Sequence, residues 1–276
     1  MLKLFKSNFK TTNDCIILAG PLIIFISLLQ LYATYIVKYA NTTSKLVLGI
    51  TTIIVMFAGF LSAWLYMTKK TIALSKKVFI FDVDRVKALG YLAMSLSKGV
   101  GRLIIPILFF VISLGVIYTL LFHGVTYLIE QHFGEFTLNF KTIEALLYDN
   151  KNVLDELFEA LSIKEITAIN TWFIAINICI ATISYFTLLW VPEIVYTQKN
   201  PIKALIASCK KMMTGIPETI MLFFYIVMLT LIAKIVTMLV LIHPILYFFV
   251  LIYYYYYIVY VVVLLFSYYE QRYTKS

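Results

Sequence analysis

The stretch Thr219–Tyr268, TIMLFFYIVMLTLIAKIVTMLVLIHPILYFFVLIYYYYYIVYVVVLLFSY, decides the fold. Lys234 is its one formally charged residue, and His243-Pro244 is its one break. Each half exceeds the roughly 20 residues that a helix needs to cross about 30 Å of hydrocarbon. The short His-Pro connection leaves room only for a tight turn. The stretch therefore predicts two antiparallel membrane spans, 219–241 and 244–268.

The same pattern recurs upstream and predicts spans at 15–37, 46–67, 103–128 and 172–191. The expected fold class is all-α, a polytopic bundle of six transmembrane helices forming a single integral membrane domain over 1–276. Composition agrees: the 276 residues are 62% hydrophobic and 13% charged, with mean hydropathy +0.92. Soluble domains are about half apolar and a quarter charged, so the missing charge implies a surface that faces lipid. The first span follows the basic start Lys3, Lys6 and Lys10, but its apolar core is too long for a signal peptide and reads as an anchor.

Orientation follows from where the cations lie. Lys69, Lys70, Lys76, Lys77, Arg85, Lys87, Lys98 and Arg102 crowd the loop between spans two and three. Lys199, Lys203, Lys210 and Lys211 follow span four, and Arg272 and Lys275 follow span six. The alternate loops hold only Lys38, Lys45, Lys141, Lys151 and Lys164. Both termini are thus expected on the cytoplasmic side of a cell membrane. The net charge of +9 is placed beside membrane segments and argues against nucleic acid as partner. Trp64, Trp172 and Trp190 fall near span ends, where indole rings favour the interface. Glu193 and Asp14 read as solvated markers of the inner boundary.

The two basic loops repeat one another at a constant offset. Asp84-Arg85-Val86-Lys87-Ala88-Leu89 aligns with Asn200-Pro201-Ile202-Lys203-Ala204-Leu205, and Gly99-Val100 with Gly215-Ile216. Each copy predicts one short helix, N-capped by Asp84 or Asn200 and closed by Gly99 or Gly215 at C′. Apolar residues recur at helical spacing, at Val86, Leu89, Ala93 and Leu96 and at Ile202, Leu205, Ile206, Cys209, Met212 and Met213. The expectation is two interfacial cytoplasmic helices in a parallel internal repeat. Lys87, Lys203, Lys210 and Lys211 become candidates for anionic headgroup contact or for docking a partner.

Trp190-Val191-Pro192-Glu193-Ile194-Val195, followed by Asn200-Pro201-Ile202-Lys203-Ala204-Leu205 and Ser208, resembles a six-span bacterial membrane-domain superfamily. That superfamily includes the membrane domain of some glycerophosphodiester phosphodiesterases and stand-alone relatives of unestablished role. Its pattern is a span ending in proline, an acidic residue, then an Ala-Leu-x-x-Ser helix entering the next span. The likeness is strong over 190–208 and rests elsewhere on span layout. The resemblance implies an integral membrane module in a bacterial inner membrane. The hydrolase domain is absent, so its activity is not implied.

Residues 130–169 form an acidic external loop, too short at roughly 40 residues for an independent enzymatic domain. Leu154, Leu157, Phe158 and Leu161 share a helical face opposite Asp155, Glu156 and Glu159, which predicts an amphipathic surface helix, or a lid or docking site. Lys234 lies roughly 10 Å inside span five. Two readings stay open for it: a snorkelling or structural lysine, and a transport or binding residue. Back across the turn it is level with Tyr253–Tyr257. Tyr253, Tyr256, Tyr257 and Tyr260 share one face there, a candidate polar cluster with Lys234 that serves as bundle glue or as a patch for an amphiphile.

No G-x-S-x-G, H-E-x-x-H or Walker A motif occurs, so no catalytic residues, cofactor or metal site are expected. His123, His132 and His243 are scattered. Cys15, Cys179 and Cys209 lie in or beside apolar segments and read as inert thiols. Two functional readings remain. One is a non-enzymatic membrane module associated with lipid or the envelope, or accessory to transport. The alternative is the permease subunit of an ABC-2-like exporter, which would need a separate ATPase subunit.

Overall fold

The computed structural model describes residues 2–77, 82–134, 162–197, 200–238 and 245–274. The amphipathic helix expected around 154–161 and the His243-Pro244 turn lie outside them. The described elements are helical: α1 (Leu2–Asp14), a 3-10 turn (Ile16–Leu18), α2 (Ala19–Tyr39), α3 (Thr43–Ser75), α4 (Asp82–Phe133), α5 (Ile163–Thr187), α6 (Trp190–Tyr196), α7 (Pro201–Thr214), α8 (Ile216–Met238) and α9 (Leu246–Tyr273).

Six segments are long and apolar enough to span a membrane: Ile16–Tyr39, Thr43–Ser75, Gly90–Phe133, Ile163–Tyr196, Ile216–Met238 and Leu246–Tyr273. Between 11% and 33% of each apolar window is buried inside the protein. Much of the remainder, including Ile24, Leu31 and Val37, is exposed and needs lipid as its solvent. The chain is a multi-pass integral membrane protein. Hydroxyls on the spans return to their own backbone, as Thr51 donates to Val47 O and Thr230 to Ile226 O, each at 2.8 Å. Polar groups facing lipid are thereby satisfied without water.

The chain divides into two units. The smaller, 112–185, packs Val125 and Ile129 of α4 against Ala168, Ile169, Trp172 and Ile176 of α5. Trp172 Nε1 donates to Thr126 Oγ1 at 3.0 Å and its ring meets Phe122 edge-on. The larger unit, 1–111 with 186–276, is centred on α9, whose Val259, Val263, Leu264 and Phe266 are buried. There α1 lies on α9: Asn8 Nδ2 donates to Tyr260 O at 3.4 Å, and Phe5 stacks on Tyr225 of α8 at 3.9 Å.

Three local expectations are corrected. Trp64 and Trp190 are fully buried rather than interfacial. Trp64 Nε1 donates to Leu18 O at 2.9 Å, capping a carbonyl where the 3-10 turn meets α2. Asp84 lies within α4 and is not its cap. Gly99 does not end a helix, because α4 runs through it without a break. A Cβ at Gly99 would fall 2.8 Å from Ser62 O and Tyr66 Cβ and 2.9 Å from Ala63 Cα. The glycine serves close helix approach, not termination. In the second repeat copy α7 is a separate helix N-capped as read, with Asn200 Oδ1 accepting from Ile202 N and Lys203 N at 3.0 and 3.2 Å, but Gly215 is its C-cap at φ −113° rather than a C′ residue.

Candidate functional site

The densest polar structure sits where α6, α7 and α9 meet. Trp190 starts α6, and its Nε1 donates to Pro201 O at 2.8 Å, clipping α6 to the first turn of α7. Phe110 packs edge-on against the same indole at 4.8 Å. This clip turns Glu193 inward. Ala204, Ser208 and Met212 form the buried face of α7, and Ser208 Oγ donates to Phe186 O at 3.0 Å. Lys211, on the same side of the helix, is thereby aimed at Glu193.

Glu193 is 2% exposed, which corrects its reading as a solvated boundary marker. Its Oε2 accepts from Lys211 Nζ and from Tyr269 OH, each at 2.5 Å. Its Oε1 accepts from Thr197 Oγ1 at 2.6 Å. Lys211 also donates to Tyr269 OH at 2.7 Å, and its ammonium lies 4.5 and 4.7 Å from the rings of Tyr269 and Tyr273. Proton accounting is then complete. The phenol gives its single proton to Glu193 and accepts from Lys211, while Thr197 gives its own to Glu193. A charge removed from water is tolerable only when paired and hydrogen-bonded, and this one is both.

A second node adjoins the first. Glu270 pairs with Lys76 at 2.7 Å and accepts from Tyr196 OH at 3.4 Å. Lys69 Nζ donates to Val195 O at 3.1 Å and lies 4.4 Å from the Tyr196 ring centroid. Arg272 pairs with Glu218. Together these bonds tie the ends of α3, α6, α7, α8 and α9. The arrangement fixes helix ends rigidly at the lysine-rich end of the bundle.

Of the residues singled out from sequence, Lys87, Lys203, Lys210 and Lys234 are exposed. Lys211 is drawn into the Glu193 node instead of solvent, with its side chain 23% exposed. The tyrosine face of α9 is directed to neighbouring helices. Tyr256 OH donates to Asn13 Oδ1 at 2.8 Å, Tyr257 OH meets Thr230 Oγ1 at 2.6 Å, and Tyr260 OH meets Tyr225 OH at 2.8 Å. Tyr253 is half-buried. Among the described residues no hydrogen bond or cation–π contact joins Lys234 to these tyrosines. No group of three or more His, Cys, Asp or Glu side chains gathers among the described residues where a metal could sit.

Sequence reasoning passed over Glu193 and Tyr269 as partners. The available signal was an acidic residue directly after Pro192, with a lysine on the buried side of the next helix. No family model, curated protein or solved structure matches the chain.

The outer side of α7 completes the site. Ile202, Ile206 and Met213 are exposed at 54%, 63% and 56% and lie along one stripe at helical spacing. Lys203 and Lys210 border that stripe and are exposed too. One side of α7 is thus locked to the protein and the other offers an apolar strip edged by cations.

Proposed function

We propose that the protein is a non-enzymatic membrane module that works at an anionic lipid surface, with both termini cytoplasmic in a bacterial inner membrane. The observation that carries this reading is the outer side of α7. An exposed Ile202–Ile206–Met213 strip beside Lys203 and Lys210 is the pattern of a helix lying in the interface, apolar side in the acyl chains and cations among the phosphates. The likeness of Trp190–Ser208 to the stand-alone six-span superfamily supports the same reading. Purification in mild detergent followed by native mass spectrometry tests it. Retained anionic lipid without a protein partner is the expected result, and loss of all lipid in favour of a stoichiometric protein subunit would overturn it.

A second reading is an ABC-2-like permease subunit, with α7 as the contact for a separate ATPase. It is favoured by the Glu193–Lys211 lock, which would carry force on α7 directly into α6 and α9. Co-purification of an ATPase subunit that is lost on charge reversal of Lys203 and Lys210 would establish this reading in place of the first.

A further inference from the structure

Charge at the lysine-rich end divides into two populations. Lys69, Lys76, Lys211 and Arg272 are engaged by Val195 O, Glu270, Glu193 and Glu218. Lys70, Lys77 and Lys98 are exposed and form no ion pair among the described residues. These three line a single cavity of about 360 Å³ between α3 and α4. Its remaining wall includes Tyr66, Leu92 and Met94.

The cavity has an evident cause. At Gly99, α3 and α4 approach so closely that a Cβ would meet Ser62 O and Ala63 Cα. The cavity opens immediately on the loop side of that contact, between residues 66–77 and 91–98. Its depth is set by the helix rise. Lys70 and Lys98 lie near the loop ends of the segments Thr43–Ser75 and Gly90–Phe133, roughly 5–8 Å beyond the apolar stretches that the sequence predicts at 46–67 and 103–128, which is the level of lipid headgroups. Cations at headgroup level above an apolar wall match one chemistry, an anionic phosphate joined to hydrocarbon. The volume lies in the range of small-ligand sites.

We propose that this cavity is a discrete binding site for one anionic phospholipid. Lys70, Lys77 and Lys98 hold the phosphate, and Tyr66, one turn nearer the hydrocarbon than Lys70 on α3, receives the first part of the acyl chain. The site shares the membrane placement of the proposed function but is separate from the α7 strip, so each can fail alone.

The test is titration of the detergent-solubilised protein with phosphatidylglycerol or phosphatidylcholine, read by native mass spectrometry. The expected result is one tight phosphatidylglycerol, weakened roughly tenfold or more in a Lys70→Gln/Lys77→Gln/Lys98→Gln variant. Lys203→Gln/Lys210→Gln should retain it, and inorganic phosphate should not displace it. A tight lipid unaffected by the triple variant but lost from the Lys203/Lys210 variant would overturn the cavity and leave the α7 reading standing. Equal binding of phosphatidylcholine would overturn both. Photoactivatable phosphatidylglycerol on the unaltered protein gives an independent readout. Crosslinks should map to 66–77 and 91–98, and their absence from both segments would also overturn the site.

Discussion

Lys211 Nζ lies 2.5 Å from Glu193 Oε2, and the phenol of Tyr269 bonds both partners. The pair joins residues eighteen positions apart on separate helices and is closed from above by a third. Removing one member leaves the other charge partly desolvated and unmatched. Glu193→Gln should therefore cost about 3 kcal/mol of stability. Replacing both, as Glu193→Gln/Lys211→Met, should cost less than the sum of the single changes. Thermal unfolding of the four proteins in one detergent measures this, and strict additivity would show that the two side chains do not interact.

Gly99 admits no side chain. Two of the three atoms a Cβ would meet are backbone atoms of α3, so rotamer adjustment cannot relieve the clash. Gly99→Ala should gain helix propensity yet lower the unfolding temperature, with a net cost of about 1–3 kcal/mol. Gly101→Ala, where a Cβ meets nothing within 4 Å, is the matched control and should be neutral or stabilising.

The polar residues of α8 and α9 should separate into two classes. Tyr260→Phe removes the bond to Tyr225 from a residue 7% exposed and should cost about 1 kcal/mol. Lys234→Met changes an exposed side chain and should alter stability by less than about 0.5 kcal/mol. A large loss at Lys234 would show that it has a structural partner in the membrane.

Thiol chemistry reads out the packing of α7. Burial raises the Cys209 thiol above its ordinary value, so less thiolate is present at neutral pH. Peptide-resolved labelling with N-ethylmaleimide should be slow at pH 7. Its rate should still be climbing beyond about pH 10, where an unperturbed thiol near 8.5 has levelled off. Cys15, with no exposed surface, should remain unlabelled until the protein unfolds. A Cys209 rate that plateaus by about pH 10, as an unperturbed thiol does, would contradict the packing of α7 against Phe186.

The six spans were legible because each is a local property of some 20 consecutive residues, and Asn200-Pro201 was legible because capping chemistry is local as well. Gly99 was misread for the same reason. As punctuation it is ambiguous between a helix end and a point of close approach, and only the position of Ser62 and Ala63 decides. Glu193, Lys211 and Tyr269 escaped because their meeting depends on how α9 lies against α6 and α7. An apolar span with little amphipathic signal does not announce which face it turns inward. Trp64 and Trp190 read as interfacial from sequence, but the carbonyls of Leu18 and Pro201 claim their N–H groups and draw the rings into the protein.

The docking of α1 on α9 also sets an order of events in time. Asn8 bonds a carbonyl 252 residues further along the chain, and Phe5 stacks on Tyr225. At a synthesis rate of about 5–20 residues per second, α1 waits roughly 10–50 s for this surface to be made. During that interval Lys6 and Lys10 can hold the helix at the membrane surface. Closure of the bundle is therefore a late step of biogenesis, and a chain arrested before its final span would carry α1 without its docking surface on α9.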